Sequence, residues 1–262
     1  MILKNRRDKL NQFIPFLGTI AGTFLLVLFL DPIPQDQDYH NFADRRTFFG
    51  IPNFFDVVSN LPFFFAGGYG FYMSAKKTSH WIQPAWNFCF IGVAMIAFGS
   101  AYYHFNPDNT ALIWDRLPMA VGFMGLFSAL IGENINLKLG RHLLLPSLAA
   151  GLLSIVYWQM HDDLRFYIWV QGIPLLLILV SAFFFKSHYS HRQYLIYGLM
   201  LYILAKLFEL FDREIYEWFS STAGGHSLKH LSSAAAVFIL AEMIRIRKEH
   251  GSGSTGEEKI EN

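Results

Sequence analysis

Three short motifs put ionisable side chains into stretches that are otherwise apolar: GSAYYH at 99–104, WDRLPM at 114–119 and GHSLKH at 225–230. Ser100 and His104 are four residues apart, as are His226 and His230, so on helices each pair shares a face. Ionisable groups inside spanning helices are costly and point to function. The one cysteine, Cys89, lies in an apolar run, so neither a disulfide framework nor a cysteine-based zinc knuckle can form within one chain. Any metal must be held by His and carboxylates. Three neutral imidazoles, His104, His226 and His230, suit zinc and leave a fourth position for water, the arrangement of a catalytic rather than a structural site. A zinc ion there brings the pKa of that water toward ~7. A plainer reading stays open for each part: the His pair could hydrogen-bond neighbouring helices, and Ser100 could be a small residue for close helix packing.

The elements that must position these groups are membrane helices. Of the 262 residues 53% are hydrophobic, 27 are Phe and only 16% are charged, where a soluble domain carries about 25%. The mean hydropathy is +0.30. Eight segments approach the length and character of a span, at about 12–30, 54–74, 83–104, 112–132, 142–159, 166–185, 193–211 and 226–244. They predict an all-α integral membrane protein with a single domain over residues 1–250. The first segment follows Lys4, Arg6, Arg7 and Lys9 and ends in LFLDP, without a small-residue cleavage pattern, so it reads as a retained anchor. The Gly/Ser-rich, acidic stretch 251–262 reads as a disordered tail.

Alternating spans bring the end of the third, the start of the fourth and the start of the eighth to one side of the membrane. A short connection makes the third and fourth antiparallel, and Asp115 falls near the level of His104. Loops on the other side, with both chain ends, carry fourteen Lys and Arg, against four (Arg45, Arg46, Arg165 and Arg213) on the site's side. Positive charge is retained in the cytoplasm, so both termini are expected there and the site on the extracytoplasmic side.

Other polar residues predict less. His188 and His191 fall in a basic loop, and His161 beside Asp162 and Asp163 has no partner motif; all three read as solvated. Lys206 and Glu209, three apart in the seventh span, read as an internal ion pair. The formal charge of +1 gives no sign of a nucleic-acid partner. Oligomeric state is not readable.

DVVSN at 56–60, Ser-x-x-x-His at Ser100 and His104, Asp115 eleven residues beyond, and the terminal His-x-x-x-His of His226 and His230 together resemble the alkaline ceramidases. That family stands within a superfamily of seven-helix membrane hydrolases that includes the progestin and adiponectin receptors. The resemblance extends from about residue 40 to 245. It implies a seven-helix core made of spans two to eight, plus one extra N-terminal helix, with zinc on His104, His226 and His230. The expected reaction is hydrolysis of a lipid amide, ceramide above all, to a fatty acid and a long-chain amine. In it Asp115 orients and deprotonates the water, and Ser100 hydrogen-bonds the carbonyl oxygen. Family members with an acidic calcium site before the first core helix make Asp44, Asn53 and Asp56 candidate calcium ligands here; loop chemistry without a metal is the alternative. A receptor, or a metal or proton transporter, using the same cluster is the rival. A transporter would want polar groups continuing across the bilayer, and here they lie on one side.

Overall fold

In the computed structural model residues 2–185 and 189–249 are described, with side chains from residue 13 onward. The tail 251–262, Lys186 and His188 lie outside the described residues, as do the side chains of Lys4, Arg6, Arg7 and Lys9. The described chain is helical: α1 (Ile2–Phe29), α2 (Phe54–Val58), α3 (Leu61–Lys77), α4 (Gln83–Phe105), α5 (Asn109–Asn134), α6 (Leu137–His161), α7 (Arg165–Phe184), α8 (Gln193–Leu210), α9 (Asp212–Trp218) and α10 (Gly225–Ile246). Six of these, α4 to α8 and α10, are long and apolar enough to cross a membrane, and α1 adds an apolar stretch at Phe13–Phe29. The fold is all-α and fits a multi-pass membrane protein.

One expected span, 54–74, is not continuous. It is broken at Ser59 and Asn60, whose side chains turn back to hydrogen-bond the Asp56 carbonyl at 3.1 and 2.7 Å. Local side-chain bonds of this kind compete with the helical ladder, and Pro62 restarts the helix as α3. The connection expected over 212–225 contains the short α9.

Neighbouring helices close around an interior space. The helix α4 packs between α3 and α5, α10 joins α3 to α8, and α7 lies against α5. Outside this group, α6 backs α5 and α1 backs α7, where Phe16 meets Phe185 edge-on at 4.6 Å and Trp169 Nε1 donates to Thr23 Oγ1 at 3.0 Å.

The closest approach, between α4 and α5, has a cause in the sequence. Pro118 lies inside α5 and has no N–H, so the Trp114 carbonyl one turn earlier loses its helical donor. Gly99 of α4 fits against that carbonyl: a methyl group there would overlap the Trp114 oxygen. At Gly92 a methyl group would lie 2.7 Å from the Pro118 carbonyl oxygen. Backbones can meet this way only where side chains are absent. Ser100 and Asp115, the next residue along on each helix, are thereby brought together.

The segment between α1 and α2 is strapped across the ends of the helices. Ile33 N–H donates to Asp163 Oδ1 at 3.2 Å, Gln35 N–H to Asp162 Oδ1 at 3.0 Å, and Leu164 N–H to the Ile33 carbonyl at 2.8 Å. Asp163 is buried and paired with Arg165 at 2.7 Å. Burial pushes its carboxyl up, but the Arg165 side chain and the Arg165 and Ile33 N–H groups outweigh this and hold it at about 2. His161 is exposed as expected, and His191 lies in a turn with Nδ1 2.7 Å from Ser190 Oγ.

Gly99→Ala is expected to destabilise the protein by about 1–3 kcal/mol, through forced separation of α4 and α5. Gly68→Ala, where a methyl group meets open space, should leave stability unchanged or slightly raised. Thermal unfolding of both variants in detergent checks the pair. Equal melting temperatures would refute the role of Gly99.

Candidate metal centre

His104 comes from the last turn of α4, His226 and His230 from the first turns of α10, and all three are buried. Their ring centroids form a nearly equilateral triangle of 4.7, 4.9 and 4.9 Å. One nitrogen from each lies within 4.8 Å of the others. Tetrahedral zinc with bonds of ~2.0–2.1 Å needs its ligand nitrogens ~3.4 Å apart, so small ring rotations close the site. Both ring nitrogens of His104 are buried without a hydrogen-bond partner among the described residues. Such groups are almost always satisfied, and a metal ion would satisfy this one.

The broken segment before α3 sets the orientation of His230. Ser59 Oγ donates its one proton to the Asp56 carbonyl and lies 2.7 Å from His230 Nδ1. The imidazole must then supply the proton of that second bond, which leaves the Nε2 lone pair free for a metal. Asn53 Nδ2 donates to the His104 carbonyl at 2.8 Å and so ties off the end of α4. Buried Phe42 packs at a steep angle against both His104 and His226, with ring centroids 4.7 Å apart in each case. Asp212 Oδ1 accepts from His226 N–H at 2.8 Å and its Oδ2 from Ala43 N–H at 2.9 Å, so one carboxylate caps α10 and fastens the strap.

At His226 the fit has a condition. Lys229 Nζ lies 3.1 Å from His226 Nε2 and 2.7 Å from Glu209 Oε1. Ligation through Nε2 requires the ammonium to release that lone pair, and Glu209 keeps the cation paired when it does. Glu209 also pairs with Lys206 at 2.5 Å, so the ion pair expected in the seventh span exists and has a third member.

The two residues expected to do chemistry stand beside the histidines, outside the group of mutually close ligand atoms. Asp115 is buried in α5, and Ser100 is buried in the last turns of α4 across the seam from it. Together with His230 they line one cavity of about 420 Å³, whose walls continue through Val93, Phe123, Leu199 and Leu240. The arrangement can hold a divalent ion at the polar end of an apolar chamber, with a carboxylate and a hydroxyl close by.

The candidate calcium ligands Asp44, Asn53 and Asp56 each have a hydrogen-bond partner within the protein, while Asp56 Oδ2 has none among the described residues. Asp44 binds the Arg46 guanidinium at 2.5 and 2.9 Å, Asn53 holds the His104 carbonyl, and Asp56 accepts from Ser227 at 2.6 Å. Asn53 holds the end of α4 that carries His104, and the Asp56 carbonyl accepts from Ser59 beside His230. Ser59 and Asp212 were not singled out by sequence. Ser59 lies in the DVVSN motif, whereas nothing marks Asp212 before the chain is folded.

About one divalent ion per chain is expected on purification, and the His226→Ala, His230→Ala double variant should lose it. Ser59→Ala should keep the fold and weaken the metal by about 10–100-fold, as loss of an outer orienting bond does. Elemental analysis combined with chelator competition reads both. Full metal content in a folded double variant would remove the assignment.

No curated protein matches the chain. The model of a family of unknown function, DUF6962, matches residues 61–249, which contain His104, Asp115, His226 and His230. That match covers more than half of the chain, and the protein therefore belongs to the DUF6962 family.

Proposed function

We propose that the protein is a zinc-dependent amidohydrolase that cleaves N-acyl lipid amides within the membrane, releasing a fatty acid and an amine. The observation that carries this reading is the unpartnered His104 imidazole, facing His226 and His230 at the polar end of an apolar-walled cavity of about 420 Å³. The motif likeness to alkaline ceramidases supports it.

Zinc on His104, His226 and His230 supplies Lewis acidity and a more acidic water when it is bound. The chain's own residues do the rest. Asp115 accepts a proton from the attacking water and later returns it to the departing amine. Ser100, which lines the same cavity, donates a hydrogen bond to the amide carbonyl oxygen as negative charge develops there. The apolar walls take the acyl chain and exclude water.

Purified protein is expected to release fatty acid from N-acyl lipids and to stop when chelated. Asp115→Asn should stay folded, keep near-normal metal and lose about 10²-fold or more of this turnover. Chromatography of the lipid products, with metal analysis of the same samples, decides it. Loss of metal in Asp115→Asn would make Asp115 a ligand, and unimpaired turnover would remove it from the mechanism.

In this reading both termini are cytoplasmic and the site faces the extracytoplasmic side, on the strength of the asymmetry in Lys and Arg. Reporter fusions at Lys77 and Ser221 should report opposite compartments, with Lys77 cytoplasmic. A shared compartment would overturn the topology.

A further inference from the structure

Arg116 is a buried cation without an anion. Its side chain points into the protein from α5, and its residue is only 6% exposed. Nη2 donates to Gln35 Oε1 at 2.5 Å, whereas Nη1 is buried with no hydrogen-bond partner. Among the described residues no carboxylate lies within ion-pairing distance of it. Aromatic rings take the place of a counter-ion: the guanidinium lies 4.1 Å from the Trp158 ring centroid, 5.0 Å from Tyr167 and 5.9 Å from Tyr39. Such rings soften the burial of a cation, but they do not complete its hydrogen bonding.

The surroundings hold the guanidinium in place. Gln35 stands on the strap, which Asp162 and Asp163 fasten to the corner between α6 and α7. Arg116, Gln35, Tyr39 and Tyr167 line the same cavity as Asp115, Ser100 and His230. The open donor therefore stands one residue along α5 from the carboxylate assigned to the reaction. A planar guanidinium held this way matches the oxygens of a carboxylate or phosphate.

We infer that Arg116 is the headgroup-recognition residue of this cavity, and that its ligand is an N-acyl lipid whose amine half carries an anionic oxygen group, carboxylate or phosphate, close to the amide. The inference rests on the proposed amide hydrolysis for the identity of the scissile bond. Water adds to the carbonyl carbon, the C–N bond breaks, the departing nitrogen takes the proton, and the products are a fatty acid and an amine that keeps its anionic group. Arg116 touches that group and takes no proton.

The test uses purified full-length protein and three sulfonamide analogues that cannot be hydrolysed, each with a sixteen-carbon chain and an amine half derived from glycine, phosphoethanolamine or ethanolamine. Binding to the wild type is expected to be at least about 10-fold tighter for the anionic analogues than for the neutral one. The order of the two anionic analogues identifies the group as carboxylate or phosphate. Arg116→Gln should abolish the preference, with thermal unfolding in detergent showing that the variant is folded. Arg116→Lys, which keeps the charge and loses the fork, should retain part of it. Wild-type binding indifferent to headgroup charge would overturn the inference even if amides are hydrolysed, and so would an undiminished preference in Arg116→Gln. Anion preference that depends on Arg116, without hydrolysis of the matching amides, would uphold the recognition site and sink the hydrolase reading.

Discussion

The close approach of α4 to α5 is the constraint on which the rest of the site depends. It arises where Pro118 strips the Trp114 carbonyl of its helical donor and Gly99 lets the neighbouring backbone come against that carbonyl. In lipid the association of helices gains little from the hydrophobic effect, so packing at small residues and polar contacts must hold them. This seam sets Ser100 beside Asp115 and fixes where the end of α4, with His104, meets the start of α10. A wider separation would leave three motifs on three helices with no common centre.

The second requirement is that every polar group taken into this interior finds a partner, since water is not there to supply one. The strap between α1 and α2 and the break before α3 largely meet it. They bring Asn53 to the His104 carbonyl, Ser59 to His230 and Gln35 to Arg116, and they bury Phe42 against two imidazoles. Asp212 works from the other side, satisfying one N–H of α10 and one of the strap. After this, two of the unsatisfied groups stand out for their position, the His104 ring and one nitrogen of Arg116. One faces a triangle of imidazoles and the other belongs to a side chain that lines the cavity. Both are what a polar interior leaves open when a ligand is to complete it.

What the sequence could show, and what it could not, follows from this division of labour. Apolar length marked the long helices, and four-residue spacing marked His226 with His230 and Ser100 with His104, because both signals are local to one helix. Alternation of direction then brought His104 and the α10 pair to one level. Span 54–74 misled because its hydrophobicity hides a break made by two polar side chains, Ser59 and Asn60, folding back on one carbonyl. Asp163 has no local signal, because its partners are Ile33 and Arg165, one of them far away in the chain. Asp212, Gln35 and Arg116 carry no spacing signal at all. Their roles exist only once the strap has crossed the helix ends.

The distribution of charge within the cavity bears on the choice between a hydrolase and a conduit. Lys206, Glu209, Lys229, Asp115 and Arg116 all stand in the half of the bundle that holds the histidines, and Glu209 neutralises both lysines at 2.5 and 2.7 Å. Farther along α7, α8 and α10 the walls are Ile178, Leu195, Leu199 and Leu240. A path for protons or metal ions across a bilayer needs polar groups at successive depths, since each step through hydrocarbon without one is costly. A chamber with one polar end and one apolar end instead matches an amphiphile, whose head and tail have those two characters in that order. In the proposed reading the bilayer supplies the ligand's tail, and the polar groups of the chain meet the ligand where that tail stops.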